Sequence, residues 1–158
     1  MKYIPLTQGK VALVDDEDFE WLNQWKWQAS KTRNKFYVIR AGSKHIPRVL
    51  MHRLILGLKK GDGIVSDHKD DNGLNNQRYN LRKCTNSQNH QNQAPTGLGT
   101  SKYKGVSHCS NCNGWQVHIK HNGKSVWLGN YKNEIEAARV YDKKAKEIFG
   151  EFARLNNV

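Results

Sequence analysis

Residues 66 to 92 read Ser-Asp-His-Lys-Asp-Asp-Asn-Gly-Leu-Asn-Asn-Gln-Arg-Tyr-Asn-Leu-Arg-Lys-Cys-Thr-Asn-Ser-Gln-Asn-His-Gln-Asn. The stretch holds an adjacent Asp67-His68 pair, Asn80 twelve positions after the histidine, and Asn89 nine further on. Asparagine fills seven of positions 72 to 92, as suits turns, because it tolerates left-handed backbone and hydrogen-bonds its own chain. Turn propensity explains that enrichment but not the order Asp-His, Asn, Asn. Neighbouring strand residues point to opposite faces, so Asp67 and His68 converge on one site only where the strand ends or bends, and Asp70-Asp-Asn-Gly73 supplies a bend. Asn80 then returns on a second strand, where its amide can bond backbone near the histidine and hold the loop shut. Asn89 falls on a following helix.

These residue types suit phosphodiester hydrolysis, which requires an activated water, an acceptor for developing negative charge, and stabilisation of the departing 3' oxygen. A divalent ion supplies the last two. Mg2+ prefers oxygen ligands and keeps room for phosphate and water, so the Asp67 carboxylate and Asn89 amide oxygen suffice as protein ligands, with Mn2+ as a substitute. His68 is suited to take the proton of the water, a role worth ~10²- to 10⁴-fold in rate.

Outside this stretch the composition speaks for a polyanionic partner. The 158 residues carry 26 basic and 14 acidic side chains, a formal charge of +12. Residues 1 to 96 hold 16 basic and 9 acidic side chains and residues 97 to 158 hold 10 and 5, so both halves can touch phosphate. Mean hydropathy is −0.84 and no window resembles a membrane span or the apolar core of a signal peptide. We therefore expect a soluble, cytoplasmic protein with nucleic acid as partner, no membrane, and a monomer or weak dimer. Cys84, Cys109 and Cys112 make an odd count without a disulfide framework. Cys109-Ser-Asn-Cys112 has metal-knuckle spacing, but no second C-x-x-C accompanies it, so loop cysteines are expected rather than structural zinc.

The stretch Gln93-Ala-Pro-Thr-Gly-Leu-Gly-Thr-Ser101 lacks periodicity and reads as a linker, giving domains at 1–94 and 102–158 joined by 95–101. Before it, Lys10–Val14, Phe36–Arg40 and Arg48–Met51 read as strands, Asp15–Lys26 as a helix with acids in its first turn, Lys31–Lys35 as a basic loop, and Met51–Leu56 as a short helix stopped by Gly57. Phe19, Leu22 and Trp25 or Lys26 would share a face of the first helix. After it, Tyr103–Ser107, Trp115–His121 and Ser125–Asn130 read as three strands, with a tight hairpin at Asn122-Gly123. Asn133-Glu-Ile-Glu136 resembles a capping box opening a helix with Ile135, Ala138, Tyr141, Ala145, Ile148 and Phe149 on one side and Gly150 as its stop. The class is α+β, ending in a three-stranded antiparallel sheet backed by one helix.

Asp67-His68, Asn75-Asn76, Asn80-Leu81-Arg82, Thr85 and Asn89 with Asn92 resemble the HNH nucleases of the ββα-metal fold, in the form found in phage and intron-encoded homing endonucleases. Ile4-Pro-Leu-Thr, Asp15-Asp16 and Met51-His52-Arg53 extend the likeness. The resemblance implies an N-terminal ββα-metal nuclease domain with its core at about 63–93, Asp67 and Asn89 as metal ligands, His68 as general base, Asn80 as a supporting active-site residue, and products with 5'-phosphate and 3'-hydroxyl ends. Gln77 stands where family members often carry Arg. His52 and His90 read as surface or core residues rather than ligands.

Tyr103-Lys-Gly-Val106, Trp127-Leu-Gly129 and Ala137-Ala-Arg-Val-Tyr-Asp142, followed by Gly150 and Leu155-Asn156, resemble the APETALA or ethylene-response-factor DNA-binding domain of plants over about residues 102 to 156. In that family a sheet lies in the major groove with a helix behind it, and the two resemblances together imply double-stranded DNA as partner in a bacterial or phage-infected cell. Alternation allows the same arrangement, with Trp115, Val117 and Ile119 toward the helix and Gln116, His118 and Lys120 outward. By motif position Lys104, Ser107, His118, Lys120, Ser125 and Trp127 fall where the family contacts DNA, and Gln116 shares their face. The rival readings are a DNA-binding regulator with a vestigial nuclease centre and a nuclease of structured RNA.

Overall fold

The structure, a computed structural model, describes the chain except residues 33–34, 43–46, 60 and 96–98. It is a mixed α/β protein of four small sheets and four α-helices among the described residues, divided into two compact units, Met1–Asn89 and His90–Val158. Among the described residues no helix is long and apolar enough to cross a membrane.

The first unit opens with a hairpin of β1 (Lys2–Pro5) and β2 (Val11–Val14), followed by α1 (Asp16–Asn23). β1 is absent from the sequence expectations because Ile4 alone of its residues turns into the core. α1 stops three residues before the expected Lys26: the Leu22 carbonyl accepts from the Trp25 amide and from the Trp27 indole, which folds the chain back under the helix. Leu22 is fully buried and Phe19 packs beside it, while Lys26 lies beyond the helix, exposed.

β3 (Gln28–Thr32), β4 (Lys35–Arg40) and β5 (Val49–Leu50) form an antiparallel sheet. The expected basic loop at 31–35 is instead a hairpin end, with Lys31 and Thr32 in β3 and Lys35 in β4; residues 33–34 lie outside the described set. β3 is polar and becomes a strand by pairing with β4, with Ala29 its buried residue. β5 is cut to two residues because Met51 already begins α2 (Met51–Ile55), which Gly57 ends in a left-handed conformation. Ile4, Ala12, Val14, Leu22, Trp27, Val38, Met51, Ile55 and Leu81 are the core. Leu81 carries that core into the hairpin of β6 (Val65–His68) and β7 (Leu81–Cys84), which α3 (Asn86–Asn92) follows.

The second unit is an antiparallel sheet of β8 (Val106–Cys109), β9 (Gly114–His121) and β10 (Lys124–Tyr131), with β9 central, and α4 (Glu134–Phe149). β8 starts at Val106 rather than Tyr103 because Gly105 is left-handed (φ +76°), its carbonyl accepts from the His118 amide, and a Cβ there would lie 2.0 Å from the Tyr141 ring. Asn133 caps α4, its side chain accepting from the Ile135 and Glu136 amides, and Gly150 ends the helix. Val117, Ile119, Ala137, Ala138, Tyr141 and Ala145 are buried together, with Trp115, Ile148 and Phe149 packed against them. Ile135, expected on this face, is 44% exposed, since it sits in the first turn beyond the sheet-facing stripe. Cys109 and Cys112, expected as loop thiols, form a disulfide; their Cα atoms are 5.4 Å apart, within bridging reach. Cys84 is a buried free thiol.

Candidate active site and nucleic-acid interface

Asp67 and His68 end β6 and are both buried. The register sets Asp67 against Arg82 and His68 against Leu81. The Arg82 guanidinium, also buried, donates through Nε (2.9 Å) and Nη2 (2.7 Å) to Oδ2 of Asp67, so the carboxylate charge is met inside the hairpin. Directly after His68 the chain reverses: the Asp71 amide donates to the His68 carbonyl (3.0 Å) and Asp71 takes φ +65°. An ion pair with Lys35 holds Asp71 from β4.

Asn80, almost fully buried, closes this loop. Its Oδ1 accepts from the Asp70 amide (3.0 Å), its Nδ2 donates to the Asp70 carboxylate and the Asn75 carbonyl (both 2.9 Å), and its own carbonyl accepts from the Lys69 amide. Asn75 donates to the other Asp70 oxygen, and the Asn72 amide also donates to Asp70. The N-terminal elements grip the loop from outside. Leu13 exchanges backbone hydrogen bonds with Leu74 and Asn76, Asp15 accepts from the Gln77 side chain and the Arg78 amide, and buried Asp18 accepts twice from the Arg78 guanidinium. Gln77, where the family often has Arg, is thus spent on Asp15.

The His68 ring lies 4.9 Å from that of His52 (α2), nearly perpendicular, and 6.1 Å from that of Tyr37 (β4). Burial lowers the His68 pKa, while the Asn76 amide and the charges of Asp70, Asp67 and Asp71 pull it back up. His52 is pushed down to about 3 by burial first, then by His68 and Arg53. Burial thus disfavours the protonated form of both imidazoles. Asn89 sits half-buried in α3, its amide bonded to the Thr85 carbonyl. The structure thus gathers Asp67, His68 and Asn80 at one hairpin end and sets Asn89 on the helix that follows. Asp67 and Asn89 offer the carboxylate and amide oxygens that a hard divalent cation takes. Among the described residues no three His, Cys, Asp or Glu side chains gather as a metal cage.

On the second unit, register sets Ser107 beside Gln116, His118 beside Trp127, and Lys120 beside Ser125. With Val117 and Ile119 buried on the helix side, these six residues share the opposite face. Trp127 is 60% exposed, and the Ser125 hydroxyl lies 3.5 Å from His118 Nδ1. A bulge between Trp127 and Gly129 brings Asn130 opposite Gln116 and so onto the same face. Lys104 is placed differently: its ammonium donates to the Gln91 and Gln93 carbonyls and its amide to Asn156, so it braces the segment before the sheet.

Two known proteins resemble the chain. An uncharacterized HNH endonuclease of Acanthamoeba polyphaga mimivirus is 32% identical over 155 residues, covering 96% of this chain and 77% of the viral protein. The chain belongs to the HNH endonuclease family. A dehydration-responsive element-binding protein of Arabidopsis thaliana is 41% identical over 44 residues, 27% of this chain and 28% of the plant protein. No family model and no solved structure matches.

Around the HNH hairpin, the sequence reading left Arg82, His52, Tyr37 and Asn76 without a role. Arg82 was recoverable, because pairing His68 with Leu81 forces Asp67 opposite residue 82. His52 and Tyr37 come from elements distant in sequence, and nothing in their spacing announces His68 as a neighbour. Asn130 reaches the outer face through the bulge, which simple alternation does not foresee.

Proposed function

We propose that this HNH protein is a divalent-metal-dependent DNA endonuclease of ββα-metal type, whose second unit binds the duplex in the manner of an APETALA-type domain. The observation that carries the reading is the buried His68 at a strand end beside Asp67, in a loop closed by Asn80. His68 takes the proton of the attacking water, and Asn80 holds the loop that presents it. Asp67 and Asn89 would hold the cation, Mg2+ or Mn2+, which supplies charge neutralisation at the phosphate and the leaving oxygen when bound. Products carry 5'-phosphate and 3'-hydroxyl ends. Ser107, Gln116, His118, Lys120, Ser125 and Trp127 face the duplex, with Lys120 on phosphate and the Trp127 indole on apolar base or sugar surface; Lys104 braces the segment before the sheet through the Gln91 and Gln93 carbonyls.

The test is conversion of supercoiled plasmid to relaxed or linear form in Mg2+. His68→Ala is expected to slow it by ~10²-fold or more while leaving duplex affinity unchanged; retained cutting would refute the assignment. Excess tRNA that suppresses cutting as well as duplex DNA does would move the substrate to RNA. The slope of log K on log salt should approach ~0.9 per phosphate contact.

One observation favours a second reading, a DNA-binding regulator with a vestigial centre: Arg82 already meets the charge of the Asp67 carboxylate. Titration of the full chain with Mn2+ separates the two readings. Saturable binding lost in Asp67→Asn supports the nuclease, and no binding at millimolar Mn2+ supports the regulator.

A further inference from the structure

The β6–β7 loop reaches the His68 ring through the Asn76 side chain. Two other elements flank that ring. The loop after His68 presses against β4 so closely that a Cβ at Gly73 would lie 2.3 Å from the Phe36 carbonyl and 2.7 Å from the Tyr37 ring. Tyr37 is thereby held near His68, and it also lies 5.9 Å from His52. His52, 5% exposed, closes the triangle with its ring at 85° to that of His68. A strand-end imidazole alone samples several rotamers; flanked by the buried His52 ring and the half-buried Tyr37 ring it keeps one, and a catalytic base misplaced by about an ångström forfeits much of its rate.

We infer that His52 is a positioning residue for His68: its ring, braced by Tyr37, fixes the orientation of the base, so the catalytic centre of this chain extends beyond the hairpin to α2 and β4. The inference rests on the nuclease reading for its kinetic consequence but not for its geometric one. The contact works through ring shape. Nδ1 of His52 is buried without a hydrogen-bond partner, which a carbocyclic ring in the same space would avoid.

The test compares the full chain with its His52→Leu and His52→Phe variants; leucine fills volume without a planar edge, and phenylalanine keeps the ring. Leucine is expected to lower kcat for plasmid nicking by roughly 10- to 100-fold with KM for DNA nearly unchanged, and phenylalanine to restore kcat to within about threefold. In 13C-histidine-labelled protein the His68 side chain should show one rotamer in the parent and the phenylalanine variant, and rotamer averaging in the leucine variant. A single His68 rotamer in the leucine variant overturns the inference. So does a loss confined to KM, or a phenylalanine variant as impaired as the leucine one. A parent that cuts no DNA would overturn the nuclease reading, and the rotamer measurement would still decide the role of His52.

Discussion

The β9–β10 hairpin turns through two residues, Asn122 and Gly123, whereas β6–β7 turns through twelve, 69 to 80. In the first, positive φ at both positions (49° and 77°) matches the strand twist, and the register follows from local chemistry. In the second, register and shape are imposed by side chains and by a distant strand: the Asn80 and Asn75 amides on Asp70, the Arg82–Asp67 pair, the Asp15 and Asp18 carboxylates, and the backbone bonds of Leu13. A short turn depends on little beyond its own two residues. A long loop folded on its own polar groups can hold a reactive group apart from water, at the expense of needing every one of those partners.

The contrast can be broken by substitution. Arg82→Met removes the cation that meets the buried Asp67 carboxylate and is expected to destabilise the first unit by roughly 3–5 kcal/mol in urea unfolding. An effect under about 1 kcal/mol would show that Asp67 does not depend on Arg82. Asn80→Ala strips the Asp70 amide and the Asn75 carbonyl of partners, for a loss of about 2–4 kcal/mol and of activity together; unaltered loop amide exchange in that variant would contradict the closure role.

Acid should separate the two units. His52 and His68 have pKa values lowered by burial, His52 to about 3, whereas an unfolded histidine titrates near 6.5. Below ~6.5 the unfolded state binds protons that the folded first unit refuses, so its stability falls with decreasing pH, by up to ~1.4 kcal/mol per pH unit for each histidine. Amide exchange followed from pH 7 to 5 should show opening rising in 1–89; a loss confined to 90–158 would exclude the two histidines as its cause. Least affected is Gly123→Ala, for which the strain of positive φ costs about 1 kcal/mol in the second unit. A loss as large as that of Asn80→Ala would erase the distinction between the hairpins.

Sequence made the second unit legible almost throughout because its rules are local: alternation in β9, the Asn122-Gly123 turn, the Asn133 cap and the Gly150 stop each act within a few residues. The order of Asp67, His68, Asn80 and Asn89 was read as a chemical pattern, and the fold brings the first three to one hairpin end. What surrounds it was not. β1 and β3 carry one buried residue each and exist by pairing, and the His52–His68–Tyr37 cluster is assembled from three elements that meet only in the folded chain. The Cys109–Cys112 bridge likewise depended on a Cα separation that spacing alone does not disclose.

Of the five indoles, Trp21, Trp25, Trp27 and Trp115 are buried or half-buried, and Trp127 stands out into solvent. Iodide or acrylamide should therefore quench one fluorophore preferentially, at the red edge of the emission. Protection of that component by an oligonucleotide would report occupancy of the sheet face in unlabelled protein, independently of whether any strand is cut.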